Sequence, residues 1–112
     1  MPSTIGRIVT VSVSLDRSRA QVSLGGELDI DVRPDLDEVL ERLSVAAPGR
    51  VDVDLAAVTY AGSVLPNFLV RVRAVLPVAS TITVSDPTPW TSFVLRITDM
   101  AEIVKISEAR PA

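Results

Sequence analysis

Apolar residues in this chain recur with two different periods, and the two periods take turns. Val9, Val11, Val13 and Leu15 alternate with Thr10, Ser12 and Ser14. Ala20, Val22 and Leu24 alternate again after the polar break Asp16-Arg17-Ser18-Arg19. A period of two places such residues on one face of a strand, so the stretch from Ile8 to Leu24 predicts a hairpin. Val32, Leu36, Val39, Leu40 and Leu43 then follow at helical spacing and form one stripe of an amphipathic helix. Period two returns at Val51, Val53 and Leu55. Helical spacing resumes from Val64 to Val75, and Thr81 to Ser85 is again a strand. A third helix carries Trp90, Phe93, Val94 and Ile97 on one face, and Ile103, Val104 and Ile106 close with a short strand. The order β-β-α-β-α-β-α-β predicts an α/β fold, with a mixed, mostly parallel sheet of about five strands and its helices in a single domain.

The punctuation between these runs agrees. Gly25-Gly26 weakens any continuation of the second strand. Asp31 reads as the N-cap of the first helix, with Pro34 in its first turn, where a missing N–H costs least. Pro48-Gly49 ends that helix, Pro77 ends the second, and Asp86-Pro87-Thr88-Pro89 turns the chain into the third. The core is expected over about residues 8–106, with a polar, frayed tail at 107–112.

Composition removes most chemistry. The chain has no cysteine and no histidine. Disulfides, thiol nucleophiles, the common zinc sites and imidazole base catalysis are therefore excluded. No phosphate-binding glycine loop is present, so no catalytic residue, metal ligand or cofactor is assigned and no enzyme is expected. A net charge of −3 leaves no footprint for nucleic acid. No apolar run approaches the ~20 residues of a membrane span, and MPSTIGRIVTV lacks the apolar core of a signal peptide. A cytoplasmic protein without direct membrane insertion is expected. Asp52 and Asp54 flank Val53: Asp54 is expected in backbone or capping hydrogen bonds and Asp52 in solvent. Arg71 and Arg73 read as a solvated helix face, and Trp90 as core or half-buried packing.

The stretch TYAGSVLP, Thr59 to Pro66, joins the third strand to the second helix. A serine just before a helix is commonly a cap, stabilising by about 1 kcal/mol. The same place suits a phosphate, which meets free N–H groups and the positive end of the helix dipole. Three patches bear on the choice: GELD at Gly26–Asp29, VDVDLAAVTYAGS at Val51–Ser63, and ITVSDPTPWTSFVLRITDMAEIVKI at Ile82–Ile106. In their order and spacing they resemble the STAS domain, the fold of bacterial anti-sigma factor antagonists, from about Val9 to Ile106.

That resemblance implies a regulator that binds an anti-sigma factor, one that is also a serine kinase with an ATPase-like fold, and so frees a sigma factor. Phosphorylation of the first serine of a D-S-S-G motif reverses the binding in that family, and this serine matches Ser63. The rest of the motif departs: its aspartate is Gly62, its second serine Val64, its glycine Leu65, and the next apolar residue Pro66. Gly62 removes a carboxylate, Leu65 adds bulk, and Pro66 deletes an amide donor near the helix start. The run Val64-Leu65-Pro66 makes the tip apolar, a contact surface if it is exposed. The residues expected to meet a partner are Asp29, Asp31, Gly62, Ser63, Val64, Leu65 and Pro66, with Ser63 the phosphorylation candidate. The alternative is a STAS module without a switch, serving as a subunit or scaffold of a transport, lipid-trafficking or signalling complex.

Overall fold

The computed structural model describes residues 10–16 and 18–107. β1 (Thr10–Asp16) and β2 (Arg19–Leu28) form an antiparallel hairpin, registered with Asp16 opposite Arg19 and Thr10 opposite Gly25. A 3-10 turn (Ile30–Val32) leads into α1 (Arg33–Ala46), followed by β3 (Arg50–Ala61), α2 (Val64–Val75), β4 (Thr81–Ser85) and α3 (Pro89–Ile97). A second 3-10 turn (Met100–Glu102) precedes β5 (Lys105–Ser107). The strands lie in the order β1-β2-β3-β4-β5, and every pair after the hairpin is parallel. The α/β class and the element order follow the alternating periods. Ile8, Val9 and residues 108–112 lie outside the described residues, as do the side chains of Val11, Val13 and Leu15.

Each parallel step advances by one strand in the same direction, so right-handed crossovers carry all three helices to one face of the sheet. The burial pattern agrees. Ala20, Val22, Leu24, Val51, Val53, Leu55, Ile82 and Val84 are buried, while Gln21, Ser23, Asp52, Asp54, Thr83 and Ser85 between them keep contact with solvent. The α1 stripe Val32, Leu36, Val39, Leu40 and Leu43 is buried as its spacing predicts. Asp37 on α1 and Arg71 on α2 join the two helices through a 2.7 Å ion pair. Arg73 donates to the carbonyls of Pro77 and Ser80 and closes the exit of α2. Both arginines, expected on a solvated face, thus hold internal bonds.

The sheet departs from expectation at Gly25-Gly26. β2 runs through both glycines to Leu28. Ser23 pairs with Asp54, Gly25 with Ala57 and Glu27 with Tyr60, so β3 twice spends an extra residue against β2. These are β-bulges, which bend the strand and re-aim side chains. At the first, Asp54 Oδ1 accepts the Ala56 N–H at 2.9 Å, satisfying an amide that the interrupted ladder leaves over. Asp54 therefore acts as expected. Asp52 does not: instead of facing open solvent it binds Arg50 at 3.2 Å and Arg19 at 3.5 Å.

Gly26 accommodates the irregular register with φ of 83°. A side chain strains that backbone by about 1–2 kcal/mol. Gly26→Ala is expected to lower the unfolding free energy by that amount in urea titration, and an unchanged midpoint would remove the bulge from the account.

Candidate functional site

β2 and β3 end side by side, with Leu28 paired to Ala61. Two loops leave that edge, one into the 3-10 turn before α1 and one into α2. The Gly62 N–H donates to the Leu28 carbonyl at 3.1 Å and ties the loops together. Between them lies a groove of about 140 Å³ lined by Asp29, Ile30, Arg33, Gly62, Ser63, Val64 and Asn67.

Ser63 occupies the N-cap position of α2 but does not cap it. Its backbone is already helical (φ −65°, ψ −13°), and its side chain accepts no N–H from the first turn. A capping hydroxyl needs an extended backbone at that residue to fold back over the turn. The Ser63 side chain is instead exposed in the groove. Ser63→Ala is accordingly expected to change stability by less than about 0.5 kcal/mol, against the ~1 kcal/mol of a lost cap. Thermal unfolding of the two proteins side by side makes the comparison, and a loss of a full cap's worth would reinstate the capping role.

The amides of the α2 start are mostly committed. Leu65 N–H donates to the Gly62 carbonyl at 3.2 Å, Pro66 has no N–H, and Asn67 N–H donates to the Ser63 carbonyl at 3.1 Å. Side chains add to what the serine meets: Arg33, a cation, and Asn67, a neutral amide, both line the groove.

The other expected contact residues divide. Asp29, Gly62, Ser63 and Val64 do line the groove. Asp29 rather than Asp31 is the cap: its Oδ1 accepts the Ile30 N–H at 2.6 Å, with extended backbone at φ −125°. Asp31 lies inside the 3-10 turn, which displaces the start of α1 to Arg33 and leaves Val32 in the N-cap position without a side-chain bond. Leu65 and Pro66 correct the idea of an apolar tip. Both are buried, because Leu65, Phe68, Leu69 and Val72 form the inward stripe of α2 and Pro66 flanks it. Only Val64 of that run reaches the groove.

Arg33, Asn67 and Ile30 were not foreseen. Asn67 could have been, since it lies four residues after Ser63 and so on the same helix face. Arg33 could not, because its position depends on the 3-10 turn.

On α3 the face expected to pack is only partly inward. Thr91, Val94 and Leu95 are buried, whereas Trp90 and Phe93 are each 42% exposed and Ile97 is 61% exposed. Trp90 stacks on Tyr60 with centroids 5.7 Å apart and 16° between planes, and lies against Phe93 at the same distance.

Comparison with known proteins bears on this edge of the sheet. The fold is similar to that of an anti-sigma factor antagonist from Mycobacterium paratuberculosis, with a TM-score of 0.82 at 22% identity over 91% of this chain and 87% of that one. It is similar to the anti-sigma factor antagonist SpoIIAA of Bacillus in its unphosphorylated form, with a TM-score of 0.71 at 15% identity, covering 90% and 89%. A third likeness is to an anti-sigma factor antagonist from Thermotoga maritima, with a TM-score of 0.66 at 18% identity, covering 88% and 86%. At these identities the likeness establishes the fold. Comparison with curated proteins gives no match. The family model described as Mlab, STAS domain, matches residues 11–105 and so takes in the sheet, all three helices and the Ser63 groove. The chain belongs to the STAS-domain family.

Proposed function

We propose that this protein is an anti-sigma factor antagonist: it binds an anti-sigma factor with a kinase-like ATPase fold through the Ser63 edge and so releases a sigma factor. The observation that carries the proposal is the Ser63 hydroxyl, exposed at the start of α2, making no cap, and bordered by Asp29, Arg33 and Asn67. A hydroxyl that the fold does not use is available to a kinase. A phosphate there adds about −1.5 to −2 charges to the surface a partner must meet. Arg33 is placed to offset part of that charge, in place of the amides lost at positions 65 and 66.

A second reading has one observation in its favour. The depleted amide set of α2 weakens the hold on a phosphate, which suits a STAS module that binds its partner constitutively, as a subunit of a transport, lipid-trafficking or signalling complex. Affinity capture from lysate of the native host, with wild-type protein beside Ser63→Glu and partners identified by mass spectrometry, separates the two. An anti-sigma kinase held by the wild type and lost with the variant supports the switch. Capture of the same permease or transport ATPase by both supports the constitutive module.

A further inference from the structure

The peptide unit between Ala61 and Gly62 leads into the turn, one unit ahead of the Gly62–Ser63 peptide. It is planar, so its carbonyl and its N–H move together. Both ends are pinned from outside the turn. The Gly62 N–H donates to Leu28 on β2, and the Ala61 carbonyl accepts the indole N–H of Trp90 at 2.9 Å, from α3. The next two carbonyls, of Gly62 and Ser63, are taken by amides of α2 itself. Trp90 thus ties this turn to α3.

The rest of the Trp90 environment serves that bond. The indole is not there to fill the core, since the side chains that α3 buries are Thr91, Val94 and Leu95. It stacks on Tyr60, with the Phe93 ring tilted against it at 37°. The Tyr60 ring in turn leans over Gly62, whose position would set a Cβ 3.7 Å from the tyrosine hydroxyl. Tyr60 points outward to meet the indole because the second bulge of β3 falls at the residue before it.

We infer that Trp90 is a positioning residue for the Ser63 turn: its indole N–H fixes the Ala61–Gly62 peptide and with it the direction in which the Ser63 side chain leaves the start of α2. The importance of that direction for partner binding rests on the function proposed above, but the positioning itself does not.

Native-state amide exchange, followed by NMR, tests it without any partner. In the wild type the Trp90 indole N–H is expected to exchange more slowly than a free indole. In Trp90→Phe, which keeps an aromatic ring on Tyr60 but has no donor, exchange at Gly62 and Leu65, the amides bonded within this turn, is expected to rise about fivefold, the effect of one lost hydrogen bond, with α1 and β4 unchanged. A free-indole rate in the wild type overturns the inference, and so does a uniform rise across α1 and β4 in the variant. In the capture experiment, loss of the anti-sigma factor with Trp90→Phe extends the positioning to function. If exchange rises locally while Ser63→Glu leaves capture unaltered, the positioning stands and the proposed switch falls.

Discussion

Leu65→Gly, which writes the motif glycine of the anti-sigma factor antagonists back into this chain, is expected to destabilise it by about 3–6 kcal/mol. Leu65 is 0% exposed and belongs to the inward stripe of α2. Deleting a buried leucine side chain costs about 2–5 kcal/mol in lost transfer energy and residual cavity. Glycine in a helix adds about 1 kcal/mol over alanine. Domains of this size have about 5–15 kcal/mol of stability, so the variant should populate unfolded chains under mild conditions. Urea unfolding measures the difference, and a loss under about 1 kcal/mol would show that the first turn of α2 is not packed against the sheet. The position two residues after the serine is a core position in this chain. Restoring the motif therefore damages the fold before it can improve a phosphate site.

Phe68→Ala is expected to cost about 3–5 kcal/mol. Phe68 is the largest fully buried side chain among the described residues and lies one turn along the same stripe, in the core cluster that also holds Val51, Val53 and Leu55. Removing its ring leaves a cavity that backbone on both sides resists closing. Val70, two residues on and 47% exposed, is the control: Val70→Ala should stay within about 0.5 kcal/mol. Similar losses at 68 and 70 would mean that α2 is rotated about its axis, and that Ser63 and Asn67 do not face the groove.

Much of this architecture was legible from periodicity. The strand Val51-Val53-Leu55, the helix Val64–Val75 and the strand Thr81–Ser85 each carry a single clear period bounded by proline or glycine. The bulges were not legible. They sit at Ala56 and Thr59, residues that suit a regular strand equally well, and they arise from how β3 is paired with β2. The face of α3 was ambiguous for a related reason. Trp90, Phe93 and Ile97 have helical spacing, but so do Thr91, Val94 and Leu95. The buried choice includes a threonine whose hydroxyl is satisfied by the Thr88 carbonyl at 3.0 Å. Local hydrogen bonding made Thr91 fit for burial, and an apolar pattern does not register it.

The site was legible as a place and less so in its parts. A serine before a helix marks the edge of the sheet, but whether its hydroxyl caps the helix depends on two backbone angles. Asp29 and Asp31 are both fit to cap, and the 3-10 turn chose the first.

In the proposed function the Ser63 edge competes for an anti-sigma factor, and charge at Ser63 ends the competition. A release assay starts from a preformed complex of the captured anti-sigma factor and its sigma factor. Wild-type protein or Ser63→Glu is titrated in while free sigma factor is followed. Wild type is expected to free the sigma factor, and Ser63→Glu to need at least about tenfold more protein for the same release, as a misplaced charge in a contact surface costs. Equal release by both forms, or none by the wild type, would mean that Ser63 is not a switch for sigma-factor release.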